Sequence, residues 1–266
     1  MAIRKVREVE VRSLGELIDQ VTPSEPDAIT GRRRDTSVYH GAPDADRHLL
    51  TSLDRLGGVN PPHTKVGLEE HILRNFARYS RPFVHQATNE WELMVAAQHH
   101  GVPTRLLDWT YSPLVAAHFA TRGTLERDRA IWQLDWMKVH RHFGFPELAL
   151  LIHDLAEFVG RRGEFTPWRL IDEGDGGKPF ACMLEPPTLD TRISAQAAVF
   201  TLCSDTSGPF DEFLAKHGLL DALCRFVIPK DASSFVRDQL DIAGMDERRL
   251  FPDLDGVAAQ LRRYYS

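Results

Sequence analysis

The chain has 266 residues, of which 42% are apolar, and a formal net charge of −6; this length fits one large domain or two small ones, and the apolar share is ample for a sizeable core. Net negative charge argues against unspecific, charge-driven binding to nucleic acid, although a local basic face can survive it. No apolar run approaches the ~18 residues of a membrane span, and Met1 to Lys5 leads into charged sequence rather than a signal-peptide core, so the sequence predicts a soluble, cytoplasmic protein.

In chain order, Ser13 with Glu16 caps an amphipathic first helix carrying Leu14, Leu17, Ile18 and Val21. Thr36 to Gly41 reads as a short strand. Leu68, Ile72 and Phe76 recur every four residues and predict a second helix, followed by helices over Glu90–His100 and Pro113–Thr121. Strand character marks Ala130–Asp135, Phe180–Leu184, Ala198–Cys203 and Arg225–Ile228. Pro146–Gly163 reads as a helical hairpin or lid and Gly174–Lys178 as a flexible turn, while helices around Phe235–Ile242 and Val257–Tyr265 end the chain. No Gly/Ser or Pro-rich linker divides the sequence, so a single domain is expected. Helices and strands do not alternate as βαβ units, and an α+β fold with a mixed or antiparallel sheet and surrounding helices fits better than a doubly wound one.

The densest polar cluster is Gln98 to Ala120, QHHGVPTRLLDWTYSPLVAAHFA. Asn89 caps the helix before it, Gly101 and Pro103 stop that helix, and Ser112 with Pro113 opens the next. Arg105, Asp108, Trp109 and Thr110 therefore read as a short connector clamped between rigid elements, where side chains are held in place for chemistry. Arg105 and Asp108 admit two readings, an internal ion pair or a substrate contact. Trp109 reads as a core or platform aromatic. Adjacent His99 and His100 diverge on a helix and lack a third ligand at metal spacing, so no metal site is expected. The three cysteines, Cys182, Cys203 and Cys224, are isolated in apolar settings and read as buried thiols. Neither a G-x-G-x-x-G nor a G-x-x-x-x-G-K loop is present, nor a G-x-S-x-G elbow, which sets aside Rossmann and Walker nucleotide binding and leaves a Ser-His-Asp hydrolase as the weakest choice.

The string HHGVPTRLLDWTYSPLVAAHFA closely resembles the central signature of the FRG domain family, named for a Phe-Arg-Gly tripeptide. Tyr39-His40-Gly41 stands at that tripeptide, with His40 in place of its arginine; Arg192-Ile193-Ser194-Ala195-Gln196 with Phe200, and LFPDLDGVAAQL near the end, follow in order. The resemblance thus runs from about residue 10 to the end. The order of these pieces is in turn similar to that of the ADP-ribosyltransferase superfamily. There a first strand carries His-Gly or Arg-Gly, a middle segment an aromatic or hydroxyl residue ahead of a helix, and a late strand Glu or Gln. The resemblance implies NAD as substrate, with Tyr39, His40, Gly41, Arg105, Thr110 and Ser112 around it and His40 and Gln196 as catalytic positions.

Cleaving the nicotinamide glycosidic bond develops positive charge on the ribose, which a carboxylate stabilises better than a neutral glutamine. Glu92 or Asp108 would supply that charge if the fold brings either to the pocket. Two function classes stay open: an NAD-dependent ADP-ribosyltransferase or NAD glycohydrolase acting on a nucleic acid, a protein or water, as a toxin or defence effector would, and a non-catalytic nucleotide- or nucleic-acid-binding module. Arg32-Arg33-Arg34 suits a phosphate contact in either class, or a solvated charge run.

Overall fold

The computed structural model describes residues 6–81, 89–123, 126–152, 154, 178–186 and 191–265. In chain order the described elements are β1 (Arg7–Glu10), α1 (Leu14–Val21), β2 (Val38–Ala42), α2 (Lys65–Ser80), α3 (Glu90–His99), β3 (Leu106–Thr110), α4 (Pro113–Ala120), β4 (Arg129–Leu134), α5 (Trp136–Phe143), β5 (Ala181–Leu184), α6 (Thr191–Ala195), β6 (Ala198–Cys203), α7 (Phe210–Lys216), β7 (Leu223–Ile228), α8 (Ser233–Ile242), α9 (Glu247–Leu250) and α10 (Leu254–Tyr264). The fold is α+β: one seven-stranded sheet of order β1-β7-β4-β2-β3-β6-β5 with helices packed on it. Among the described strands β1 and β7 pair in parallel, and the other strand pairings are antiparallel.

The expected caps are present. Ser13, Asn89 and Ser112 each accept a backbone N–H in the first turn of α1, α3 and α4, and Gly101, at a φ of 79°, takes α3 out of its helix. The connector between α3 and α4 is corrected. Leu106–Thr110 is β3, a strand inside the sheet, paired along its whole length with β6. Because four of its five residues are buried, on both faces, it lacks the alternation of a half-exposed strand, and its brevity between Pro103 and Pro113 disguises it further. The expected lid over Pro146–Gly163 lies largely outside the described residues, as does the Gly174–Gly177 part of the turn; within them, Leu150 bridges to Leu184.

Three clusters bury the sheet. On one face Tyr39, Ile131, Phe226 and Ile228 meet Leu14 and Leu17 of α1, Ala116, Ala117 and Ala120 of α4, and Val236 and Leu240 of α8. On the other, Val38, Trp109, Trp132 and Leu134 meet Trp136 and Val139 of α5 and Phe210 and Phe213 of α7. Leu106, Phe200, Leu202 and Leu184 meet Leu73 of α2 and Trp91, Met94 and Val95 of α3. Gly41 sets the first of these contacts. A Cβ at this position would lie 2.0 Å from the Ala116 carbonyl oxygen and 2.7 Å from the Ala120 nitrogen, so only glycine lets the α4 backbone rest on β2. No described helix is long and apolar enough to cross a membrane. Cys182 and Cys203 are buried and Cys224 half-buried, all as free thiols.

Candidate functional site

Two neighbouring strands in the middle of the sheet barely pair. β2 is registered with β4 from Val38 to Ala42, whereas β2 and β3 share only the pair Tyr39 and Thr110. Beyond that pair, the His40 imidazole spans the gap: its Nδ1–H donates to the carbonyl oxygen of Asp108 at 2.7 Å. With that proton fixed on Nδ1, Nε2 is the acceptor nitrogen of a neutral ring. Desolvation lowers the His40 pKa below the ordinary histidine value, against the opposing pull of the Asp108 carbonyl, which keeps the ring neutral at physiological pH.

Alternation along the strands places the Asp108 side chain on the same face as Leu106 and Thr110. Its two carboxylate oxygens both accept from the Gln98 amide at 2.9 Å. Gln98 is itself oriented, since its carbonyl accepts from the Thr104 hydroxyl at 2.6 Å and the Ser52 hydroxyl at 3.2 Å. The amide nitrogen is thereby turned toward Asp108. Water reaches the carboxylate through the cleft, but protein encloses it otherwise, and this desolvation raises its pKa more than the Gln98 amide and nearby cations lower it.

His40 and Asp108 line one cleft of about 590 Å³, within the range of small-molecule sites. Its walls combine aromatic rings, Trp109, Phe119 and Phe251, with four arginines. Arg47 and Arg55 come from the segment after β2; Arg122 and Arg192 each hold their guanidinium against the Phe251 ring, at 5.2 and 4.7 Å from the centroid. His48 donates to Asp211 at 2.7 Å, and that hydrogen bond raises its pKa.

The residues singled out in the sequence divide sharply. Tyr39, Gly41, Thr110 and Gln196 line the cleft beside His40 and Asp108, but their polar groups are engaged with the protein. The Tyr39 hydroxyl is bonded to Asp35, and burial pushes its pKa up. Thr110 donates to the Gln196 carbonyl at 2.7 Å, and the Gln196 amide donates to the Leu250 carbonyl at 3.0 Å. Gln196 therefore sits in the turn before β6 as a strap between β3 and α9. Ser112 caps α4 and is not part of the cleft wall. Glu92 lies in the first turn of α3, at the end of that helix away from the Gln98 that reaches the cleft, and lines no part of it.

Arg105 is corrected too, on both of its readings. It is 2% exposed and pairs with Glu69 of α2, which is wholly buried: its backbone N–H donates to Oε1 at 2.7 Å and its Nε to Oε2 at 2.6 Å. It touches neither Asp108 nor the cleft. Trp109 is a core residue, its indole N–H donating to Thr201 at 3.0 Å. Among the described residues no cluster of His, Cys, Asp and Glu is arranged for a metal. Arg32 to Arg34 lie on an exposed segment apart from the cleft. The sequence reading missed Gln98 as a side chain, Arg122 and Phe251. Arg122 was legible as the continuation of the Val115 and Phe119 face of α4 at helical spacing.

The FRG domain family model matches residues 35–129. That span contains β2, α2, α3, β3 and α4, and with them His40, Gln98, Asp108 and Arg122; Arg192, Gln196 and Phe251 lie beyond it. Neither the curated proteins nor the solved structures contain a match to the chain.

Proposed function

We propose that the cleft, lined in large part by residues of the span that matches the FRG domain model, binds NAD and that the protein is an ADP-ribosyltransferase-like enzyme, passing ADP-ribose to a nucleic acid or protein acceptor or to water. The observation that carries this reading is that a neutral imidazole, bonded to the Asp108 backbone carbonyl, and the Asp108 residue, from distant segments, line one cleft at the splayed β2–β3 junction. Packing alone gives little reason to gather such groups at the floor of a solvent-filled cleft. The residues fit the molecule: arginines suit a pyrophosphate, and aromatic rings suit a base or a nicotinamide.

NAD would supply a glycosidic bond whose cleavage releases nicotinamide with the bonding electron pair. Asp108, ionised, would oppose the positive charge left on the ribose, the task that a neutral Gln196 performs poorly. His40 would offer its Nε2 lone pair to a ribose hydroxyl, and its neutral state avoids placing a second positive charge there. Gln98 and Thr104 position Asp108. Gln196, with its amide committed to Leu250, holds the wall. A non-catalytic nucleotide-binding module is the second reading, favoured by the one feature that departs from a carboxylate in the third motif, Gln196.

The test is incubation of the full chain with labelled NAD and a mixture of DNA, RNA and protein, reading nicotinamide release and label transfer together. Release that disappears in Asp108→Asn and His40→Ala proteins supports the enzyme, and label on an acceptor identifies a transferase. Binding of NAD by a folded wild type without either signal selects the module; absence of binding removes both.

A further inference from the structure

Arg122, just past the end of α4, and Arg192 of α6 are far apart in sequence, yet both guanidinium groups rest against the single ring of Phe251. They cannot lie farther apart than those two ring distances together. Arg122 also packs over Phe119 at 5.9 Å, and among the described residues no carboxylate lies within ion-pair distance of it. The nearby carboxylate Glu247 is already shared between Arg237 and Arg263. Arg192 is itself ion-paired with Asp253 at 3.9 Å. An anion at the Phe251 ring would therefore meet Arg122 without breaking an ion pair of that residue, with the Arg192 guanidinium alongside as a second donor. Contact with the ring restrains both guanidinium groups, whose forked donors suit phosphate oxygens.

We propose that Arg122 and Arg192, set against Phe251, form a subsite for the diphosphate of a nucleotide. This assignment deepens the NAD reading of the cleft by giving the ligand a direction: the diphosphate lies at the Phe251 end, and the bond to be broken lies toward His40 and Asp108. Aromatic rings beside the arginines favour a nucleotide diphosphate over the evenly spaced diesters of a nucleic acid strand.

Titration calorimetry on the full chain with ADP, inorganic pyrophosphate, adenosine and a short single-stranded oligonucleotide tests the subsite. ADP and pyrophosphate should bind with strong salt dependence, and adenosine about tenfold more weakly than ADP or less. Arg122→Gln and Arg192→Gln should each weaken ADP about tenfold and leave adenosine unchanged, with Arg122→Lys intermediate and melting curves confirming folded protein. Unchanged ADP affinity in both glutamine variants overturns the subsite and leaves Arg122 as a complement to the C-terminal dipole of α4. An oligonucleotide that binds more tightly than ADP and is lost in the same variants overturns the diphosphate assignment in favour of diesters. ADP bound through the two arginines by a protein that releases no nicotinamide keeps the subsite and removes the enzymatic reading; release that persists undiminished in both variants does the reverse.

Discussion

The His40 imidazole donates from Nδ1 to the carbonyl oxygen of Asp108 at 2.7 Å, at the place where β2 and β3, paired only at Tyr39 and Thr110, make no further backbone rung. A side chain thus closes part of the sheet while keeping its other nitrogen available. β2 is an inner strand, between β4 and β3, so His40 is not an edge residue. His40→Ala should therefore abolish turnover while costing stability by about 0.5–1.5 kcal/mol, the worth of one hydrogen bond. Urea unfolding measured beside nicotinamide release checks this, and a loss of several kcal/mol would make the histidine mainly structural.

Two buried histidines, His118 and His140, and the half-buried His40 should make the fold sensitive to mild acid. Burial lowers the pKa of His40, of His140, and of His118 to about 4, with neighbouring Arg237 adding to the last. His140 is held neutral at both nitrogens, donating to Pro146 O and accepting from the Met183 N–H. Each binds fewer protons folded than unfolded between its lowered pKa and about 6.5. Stability is then complete above about 6.5 and falls as the pH drops toward the folded values. His118 alone accounts for ~3 kcal/mol across that window. Asp108, with its raised pKa, acts in the opposite sense and blunts the slope near the upper carboxylate range. Unfolding free energies between pH 7 and 4.5 should show the fall, and His118→Gln should flatten it by about one proton.

Five strands and six helices were legible because their patterns are local. Ser13, Asn89 and Ser112 announced helix starts, and Val199 to Cys203 carried a strand without ambiguity. β3 was not, since burial on both faces removes the polar alternation that marks a half-exposed strand, and β1, at the sheet edge with its residues mostly exposed, has no apolar pattern at all. In the site, Asp108 stood out in the polar cluster before α4, and His40 only through its place in the family tripeptide. Their partners did not: Glu69 finds Arg105 across 36 residues of sequence and Phe251 finds Arg122 across more than a hundred. Such pairings depend on the packing of helices on the sheet, which one sequence does not encode locally.

The Arg105–Glu69 pair should behave as scaffold. Removing either charge alone, by Arg105→Leu or Glu69→Leu, leaves the other buried without its partner and should cost about 3–5 kcal/mol. Replacing both with leucine should recover much of that loss, yet fall short of wild type by about 1–3 kcal/mol because the Arg105 backbone N–H loses Glu69 as its acceptor. Glu69→Gln retains that acceptor and should be the mildest change at the position. Denaturant unfolding of the four proteins decides; a double variant no better than the singles would contradict the buried-pair account.

Gly41→Ala should be more severe than its size suggests. The added methyl would meet the α4 backbone at Ala116 and Ala120, and backbone atoms cannot rotate away as a side-chain tip can. Overpacking of this kind typically costs about 1–3 kcal/mol and more where the neighbour is rigid. Thermal melting should show the loss, together with weaker binding of any cleft ligand, because α4 carries Val115 and Phe119 into the wall and leads directly into Arg122. A variant that melts like wild type would mean that α4 moves off β2 freely.

Gln98→Glu isolates the part played by Asp108. In the wild type the Gln98 amide donates to both Asp108 oxygens, lowering a pKa that burial raises. A carboxylate at position 98 would keep its contact with the Thr104 hydroxyl and turn an oxygen toward Asp108, so the two acids would share one proton and the pair would ionise fully only at higher pH. If ionised Asp108 is the form that works, the acid limb of the nicotinamide-release profile should move up by at least about one unit, with activity depressed at neutral pH and recovered in alkali. Gln98→Met, which merely removes the donor, should shift the limb in the same direction but less. Asp108→Asn should eliminate activity at every pH while melting no lower than wild type, since a desolvated carboxylate is removed and the Asn carbonyl still accepts from Gln98. Carbon NMR titration of the Asp108 carboxyl in the same proteins reads the pKa without reference to activity. A raised carboxyl pKa with an unmoved release profile would take Asp108 out of the reaction and leave it as a structural partner of Gln98.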